Sequence, residues 1–374
     1  KLAVPIFGEY QVAFISGGLT DLAAKGDLYK YWDISIDASG QLSREVTARF
    51  LSGYVPVFSE EDRYDDRFIA GKKSDEKKER LIEDIREGRL KTFEHLAAKA
   101  MNVEAKAEKT EYHGIQALGI LKADVDQLGL LMACGLGEKD FTLSRLATLS
   151  RQLHFFFAVY LTHLLKTDPR FVNVYMVFAG GDDLFLIGPW NRVIDLVECL
   201  RDRFADYTCR NENIHFSSGI CLEKPHTPLG KMAKGAEEAL LRSKEAGRDR
   251  VTVFGETATW GEFAELRKIR GRLVDWRDRR LINSAMVFRL NALIGQANLE
   301  KEVLKESGVP LEDMECLKWR AYFRYATERN IGKDMKDETE KRKAKDEFGT
   351  VAQWLDRYGG RLRIPLWDMI YNNR

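Results

Sequence analysis

Residues 172–188, VNVYMVFAGGDDLFLIG, decide the fold of this chain. Two runs rich in valine, phenylalanine, leucine and isoleucine flank the tetrapeptide GGDD, and this pattern predicts two strands joined by a tight turn. Glycine accepts positive φ and aspartate is common in turns, so the tetrapeptide alone fits an ordinary hairpin as well as a functional site. The neighbouring segments distinguish the two interpretations.

The segments on both sides of this hairpin alternate between strand and helix patterns. Residues 115–125, IQALGILKADV, read as a buried strand, and residues 141–165 read as a long helix that Asp140 or Thr142 can cap. After the hairpin come a helix at 192–207, a strand at 213–222, a helix at 229–247 that ends at Gly247, and a strand at 251–254 that closes the sheet. This order contains βαββαβ, the ferredoxin-like order, in which helices pack on one face of a sheet.

The flanks of this central region have different patterns. Short strand-like runs occur at residues 9–16, 28–37 and 53–58. A charged run at 71–89 is a solvated helix or a mobile linker. The period is helical from residue 261 onward. We therefore predict an α+β protein with three domains: a small β-rich linker domain with a charged segment (1–110), the ferredoxin-like domain (111–256) and an α-helical domain (257–374).

Composition excludes several classes of protein. The 374 residues include 59 Lys and Arg and 58 Asp and Glu, which excludes a globally basic nucleic-acid binder but leaves room for a local basic face. Residues 261–374 carry 24 Lys and Arg against 19 Asp and Glu, so we expect an RNA-facing or partner-facing surface there. The five cysteines contain no CxxC pair, which predicts reduced thiols.

The sequence predicts a cytoplasmic protein. The start lacks the pattern of a signal peptide, and the most apolar run, residues 154–165, is too short to cross a bilayer. The chain begins without Met, so we expect that the N-terminal part of a longer protein is missing.

A second pair of carboxylates, Asp124 and Asp126, ends the strand at 115–125. Adjacent acidic side chains at a strand end are costly without a cation or a partner. In a βαββ sheet this strand lies beside the GGDD hairpin, so Asp124, Asp182 and Asp183 can converge, whereas Asp126 can lean toward the following loop. Carboxylate oxygens are hard ligands that suit Mg²⁺ or Mn²⁺, and such an ion would bridge the protein to a nucleotide triphosphate. We predict a two-metal site of palm-type nucleotidyl transferases; a turn beside a strand cap is the alternative.

Two further groups of residues fit a nucleotide. Gly180 and Gly181 let a phosphate approach the backbone without a Cβ in the way. Lys244 and Arg248 lie four apart near a helix C-terminus, where the helix dipole alone also explains them. Beside the carboxylates, we predict that both contact the triphosphate.

Small residues interrupt the strand at 213–222. Ser217, Ser218 and Gly219 could receive a purine edge, although packing of small residues explains them equally well. The sequence has no HD dipeptide, Walker-type loop, GxSxG or GxGxxG. These absences leave the carboxylates as the candidate catalytic groups.

The motifs resemble one family, the large subunit of type III CRISPR effector complexes of the Csm branch. Its second palm domain is similar to the segments at 117–136, 144–157, 178–190, 217–220 and 236–251. KTFEHLA at 91–97 resembles its preceding linker domain, and residues 318–330 resemble its C-terminal helical domain. The resemblance implies an RNA-guided complex, with guide RNA, target RNA and other subunits as partners, in which target RNA switches on the synthesis of cyclic oligoadenylate from ATP.

The resemblance also assigns roles to the matching positions. It implies that Asp124, Asp182 and Asp183 hold the metals, that Lys244 and Arg248 contact the triphosphate, and that Ser217 to Gly219 form the adenine pocket. The family's HD domain, first palm and four-cysteine zinc element are absent from this sequence. Because the family's synthase site lies between two palms, we expect half a site here, with the first palm on another or unseen polypeptide.

Two other functions are compatible with parts of the pattern. A diguanylate cyclase would carry GGDEF or GGEEF, whereas Leu184 follows Asp183 here. A non-catalytic scaffold that positions guide and target RNA has no need of clustered carboxylates, which repel one another without a metal. The synthase is therefore the interpretation that the sequence favours.

Overall fold

The computed structural model describes residues 2–6, 10–14, 53–105, 110–304, 311–333 and 335–374. The chain divides into two compact units, 1–51 and 52–374. The strands are β1 (Leu2–Ile6), β2 (Tyr10–Phe14), β3 (Asn102–Ala105), β4 (Thr110–His113), β5 (Leu118–Val125), β6 (Tyr175–Gly180), β7 (Asp183–Pro189), β8 (Phe216–Glu223), β9 (Arg250–Val253) and β10 (Glu256–Thr259). Among the described residues, the helices before residue 250 are α1 (Asp75–Glu83), α2 (Phe93–Ala98), α3 (Leu128–Cys134), α4 (Leu143–Phe155), α5 (Leu161–Thr167), α6 (Trp190–Tyr207) and α7 (Leu229–Glu245). The C-terminal helices are α8 (Trp260–Asp278), α9 (Ser284–Val303), α10 (Trp319–Asn330), α11 (Glu338–Tyr358) and α12 (Arg363–Asn372).

The first unit contains an antiparallel hairpin of β1 and β2, which confirms the strand predicted at 9–16. The run at 28–37 lies outside the described residues. In the second unit the run at 53–58 forms only isolated bridges, from Tyr54 to Met176 and from Val57 to Leu90, so the strand predicted there was wrong. Pro56 lacks the N–H that a continuous ladder needs. Within the charged run, α1 confirms a helix over 75–83.

A six-stranded sheet forms the centre of the second unit, with the order β10-β9-β8-β5-β7-β6. Its part β8-β5-β7-β6 is antiparallel throughout and has the ferredoxin-like order, which confirms the predicted α+β fold. Strand β9 pairs with β8 in parallel, and β10 pairs with β9. The prediction that 251–254 closes the sheet was wrong. Phe254 and Gly255 both have positive φ and form a two-residue turn that returns the chain into β10, the true edge.

Helices cover both faces of this sheet. Alternate residues of β5 enter different apolar clusters, because side chains alternate across a strand. Leu121 packs in the same cluster as Val193 of α6, and Ile120 packs with Met232 of α7. The prediction of helices on one face holds for α4–α6 of the βαββαβ core but was incomplete, since α2 and α7 cover the other face.

The C-terminal helices share the core of the sheet, as the cluster that contains Leu121 extends to α12. Arg267 of α8 connects the C-terminal helices to α6, which packs on the sheet. Its guanidinium binds Asp195 and Glu198 of α6, the latter at 3.2 Å, and Asp368 of α12 at 2.6 Å. The predicted boundaries at 110 and 256 stay predictions. None of the five cysteines, all of which lie in the described ranges, forms a disulfide, in agreement with the predicted reduced state. Among the described residues, no helix combines the length and the apolar character needed to span a bilayer.

Candidate nucleotide and metal site

The GGDD segment is the tight turn of the β6–β7 hairpin. Gly180 faces Asp183 across the hairpin, so the turn consists of Gly181 and Asp182. Gly181 has a φ of +56°, a conformation that glycine adopts without strain. The carbonyl oxygen of Asp182 accepts a hydrogen bond of 2.9 Å from the backbone N–H of Val125, which ties the turn to the end of β5.

Two carboxylates stand directly opposite one another where the strands end. Asp124 of β5 is the register partner of Asp183 of β7, and opposite residues of an antiparallel pair project to the same face. Burial raises the pKa of both carboxyls above their ordinary value, and the charge of Asp182 raises them further. The three carboxylates thus repel one another, and a cation between them would relieve that repulsion.

Lys244, in the last turn of α7, is the nearest basic group. Its Nζ lies 2.6 Å from Oδ2 of Asp124. Within the part of the chain that the structure describes, no other side-chain cation forms an ion pair with Asp124, Asp182 or Asp183. The preceding residue anchors this end of the helix, because the hydroxyl of Ser243 donates to the carbonyl of Ser218 at 2.7 Å. Lys244 is therefore held at the carboxylates.

Arg248 lies beyond the helix, which ends at Glu245. The loop to β9 contains three consecutive residues of positive φ, namely Gly247 (+119°), Arg248 (+61°) and Asp249 (+48°). The backbone N–H of Arg248 donates to the carbonyl of Ser243 at 3.1 Å, and its side chain is exposed. Arg248 thus sits on a constrained loop rather than one helical turn from Lys244.

Asp126 was expected to lean toward the loop that follows it. Its buried carboxylate instead binds the hydroxyl of Ser217, Nδ1 of His215 and the backbone N–H of Asp249, which belong to the β8 segment and the loop before β9. His215 was not among the residues singled out in the sequence, because its place beside Asp126 arises only when β8 pairs with β5.

The predicted adenine-contacting residues are fully buried. Ser217 is engaged by Asp126, and the hydroxyl of Ser218 has no hydrogen-bond partner. A Cβ on Gly219 would lie 2.1 Å from the backbone nitrogen of Leu240, so α7 packs directly on this glycine. This geometry favours the packing explanation, and a contact with adenine stays a prediction.

Carboxylate oxygens fit a hard divalent cation. In the described ranges, the grouped donors within 4.8 Å of one another are Glu104, Glu111 and His113 of the β3–β4 hairpin, so the expected convergence of Asp124, Asp182 and Asp183 is not seen at that distance. A bound cation has oxygen ligands available from all three side chains.

Comparison with known proteins places this geometry in context. Residues 117–252 match the family model described as Cas10/Cmr2, second palm domain. A relative from Methanocaldococcus jannaschii, the CRISPR system single-strand-specific deoxyribonuclease Cas10/Csm1 (subtype III-A), is 38% identical over 173 residues, which cover 44% of this chain and 20% of the relative. A protein of the same description from Enterococcus italicus is 32% identical over 200 residues, covering 54% of this chain and 21% of the relative.

A solved structure shares the fold. The crystal structure of a Csm1–Csm4 cassette in complex with cA3 superposes with a TM-score of 0.50 at 21% identity, covering 77% of this chain and 38% of that chain. The present chain spans about one fifth of the length of the curated relatives it matches.

Proposed function

We propose that residues 117–252, which match the family model of the Cas10/Cmr2 second palm domain, supply the metal-bearing half of an ATP-polymerising site. The site works in a cytoplasmic, RNA-guided type III CRISPR effector complex and makes cyclic oligoadenylate when target RNA binds. The observation that carries the proposal is the register of Asp124 opposite Asp183, with Asp182 at the tip of the adjoining turn. The cA3 bound to a structure of the same fold supports the choice of product.

The residues of this chain divide the work of nucleotidyl transfer. Mg²⁺ or Mn²⁺, when bound, would supply the Lewis acid for the attacking 3′-hydroxyl and the leaving pyrophosphate. Asp124, Asp182 and Asp183 would hold that ion through carboxylate oxygens. When ATP binds, the ammonium group of Lys244 leaves Asp124 and donates its hydrogen bonds to the triphosphate. The exposed guanidinium of Arg248 makes a second contact with the phosphates.

The surface beside the site supports a shared active site. Helix α3 follows Asp126 and consists mostly of apolar residues, yet none of its side chains is buried. Leu143 at the start of α4 is 83% exposed. Exposed apolar surface of this kind marks a protein interface, and we propose that a first palm domain covers it. The other partners that we propose are the remaining Csm subunits, guide RNA and target RNA.

A scaffold is the second candidate. The ion pair of Lys244 with Asp124 balances the charge of one carboxylate without any metal. A chain that only positions guide and target RNA needs no metal, and this ion pair is compatible with such a role. The two functions differ in what Lys244 does during turnover, and this difference can be measured.

Replacing Lys244 with methionine is expected to raise the KM for ATP by about tenfold or more, because a charge-assisted hydrogen bond to phosphate is lost. The measurement is ATP turnover by the assembled complex with target RNA. Lys234→Met is the matched control, since Lys234 lies on the same helix and is 79% exposed. An unchanged KM in Lys244→Met, with only a lower melting temperature, would favour the scaffold.

A further inference from the structure

The carboxylate of Asp126 is completely buried and fully engaged, two residues from the metal-binding Asp124. Its side chain has 0% exposure. Oδ1 accepts from the hydroxyl of Ser217 at 2.8 Å, and Oδ2 accepts from Nδ1 of His215 at 2.7 Å and from the backbone N–H of Asp249 at 3.0 Å. Both oxygens are occupied by protein donors, so this carboxylate has a task other than metal binding.

The three partners come from two segments of the chain that meet at Asp126, which follows β5. His215 immediately precedes β8 and Ser217 lies in it, whereas Asp249 belongs to the loop between α7 and β9. The backbone N–H of Asp126 also donates to the carbonyl of His215 at 2.9 Å. One carboxylate therefore joins two neighbouring strands to the loop that carries Arg248.

That loop needs an external anchor. Arg248 and Asp249 both adopt left-handed backbone conformations, which cost free energy in residues with a Cβ and persist where surrounding contacts enforce them. The N–H of Arg248 is held by the carbonyl of Ser243, and the next N–H is held by Asp126. The backbone of Arg248 is thus fixed from both sides, with the side chain left free.

We propose that Asp126 is a positioning residue that clamps the α7–β9 loop so that Arg248 is presented to the triphosphate. Asp126 acts through the backbone N–H of Asp249, and Ser217 and His215 hold the carboxylate in place for that contact. The inference rests on the proposed function, in which Arg248 binds the phosphates. It also gives Ser217 a role without direct contact with adenine.

Hydrogen exchange tests the clamp without reference to activity. In Asp126→Asn, the amides of residues 246–250 are expected to exchange about tenfold faster by mass spectrometry, because a hydrogen bond to a charged acceptor is weakened. Asp206→Asn is the matched control, since Asp206 is an exposed carboxylate paired with Arg210. If Asp126→Asn does not fold cooperatively, Ser217→Ala, which retains the carboxylate, should show a smaller increase in the same segment. Unchanged exchange in the variant that folds overturns the clamp.

A double-mutant cycle then links the clamp to Arg248. Asp126→Asn and Arg248→Ala are each expected to raise the KM for ATP about tenfold with kcat within about threefold, and the double variant to raise the KM no further. Additive effects, or a loss confined to kcat, overturn the positioning role. An unchanged KM in Arg248→Ala overturns the phosphate contact of the proposed function and the inference together. A raised KM in Arg248→Ala alone overturns only the inference.

Discussion

Changing Asp182 and Asp183 together to alanine should lower ATP turnover by the assembled complex by about a thousandfold or more, while the complex still assembles. The reason is local. Both side chains stand at the tip of the β6–β7 hairpin, where neither is fully buried, and they would supply two of the three carboxylates of the proposed metal site. Removing them also removes like-charge repulsion, so the fold should not weaken. ATP consumption and co-purification with the partner subunits measure the two parts of this expectation.

The matched control removes two exposed carboxylates elsewhere in the same domain. Asp202 and Asp206 lie on α6 and form surface ion pairs with Arg201 and Arg210. Their joint replacement by alanine should leave turnover within about twofold, since surface ion pairs contribute little. If the Asp182 and Asp183 variant failed to assemble, or still consumed ATP at the normal rate, a catalytic role of the hairpin would be contradicted.

The second large effect concerns stability. Gly219→Ala should lower the free energy of unfolding by about 3 kcal/mol or more, because overpacking against a rigid backbone cannot be relieved by a rotamer change. The added Cβ would lie 2.1 Å from the nitrogen of Leu240 and 2.4 Å from the carbonyl carbon of Ala239. Helix α7 must then move off the sheet, and it carries Lys244 with it. Chemical denaturation of the purified chain measures the change.

Gly230→Ala provides the control on the same helix. A Cβ there meets nothing within 4 Å, and alanine favours helix, so stability should stay the same or rise by a few tenths of a kcal/mol. If Gly219→Ala kept full stability and raised only the KM for ATP, the result would contradict the packing explanation. It would then favour the interpretation of Ser217 to Gly219 as an adenine pocket.

The parts of the fold that follow from chain order could be predicted from the sequence. The strand at 115–125 and the GGDD hairpin contain short apolar runs typical of buried strands, and the ferredoxin-like order makes them neighbours. That adjacency alone brings Asp124 beside Asp183, before any side chain is considered. The separation of Asp126 from the other carboxylates was predictable, since it stands beyond the last paired residue of the strand, but its partners on β8 and in the loop before β9 were not.

Features that depend on packing from outside this core could not be predicted in the same way. The burial of Gly219 depends on α7, which covers the face opposite α6, and no periodic pattern reports which face a later helix takes. The edge strand β10, with the sequence ETAT, is too short and too polar to stand out. His215 gains its meaning from Asp126, 89 positions earlier, and such a pairing has no local signature.

The most direct test of the central claim is the identity of the product. The complex that contains this chain should be given ATP, Mg²⁺ or Mn²⁺ and an RNA complementary to its guide, and the products analysed by mass spectrometry. We expect cyclic oligoadenylate to form only when the target RNA is present. Intact ATP in a complex that still binds the target RNA would contradict this expectation.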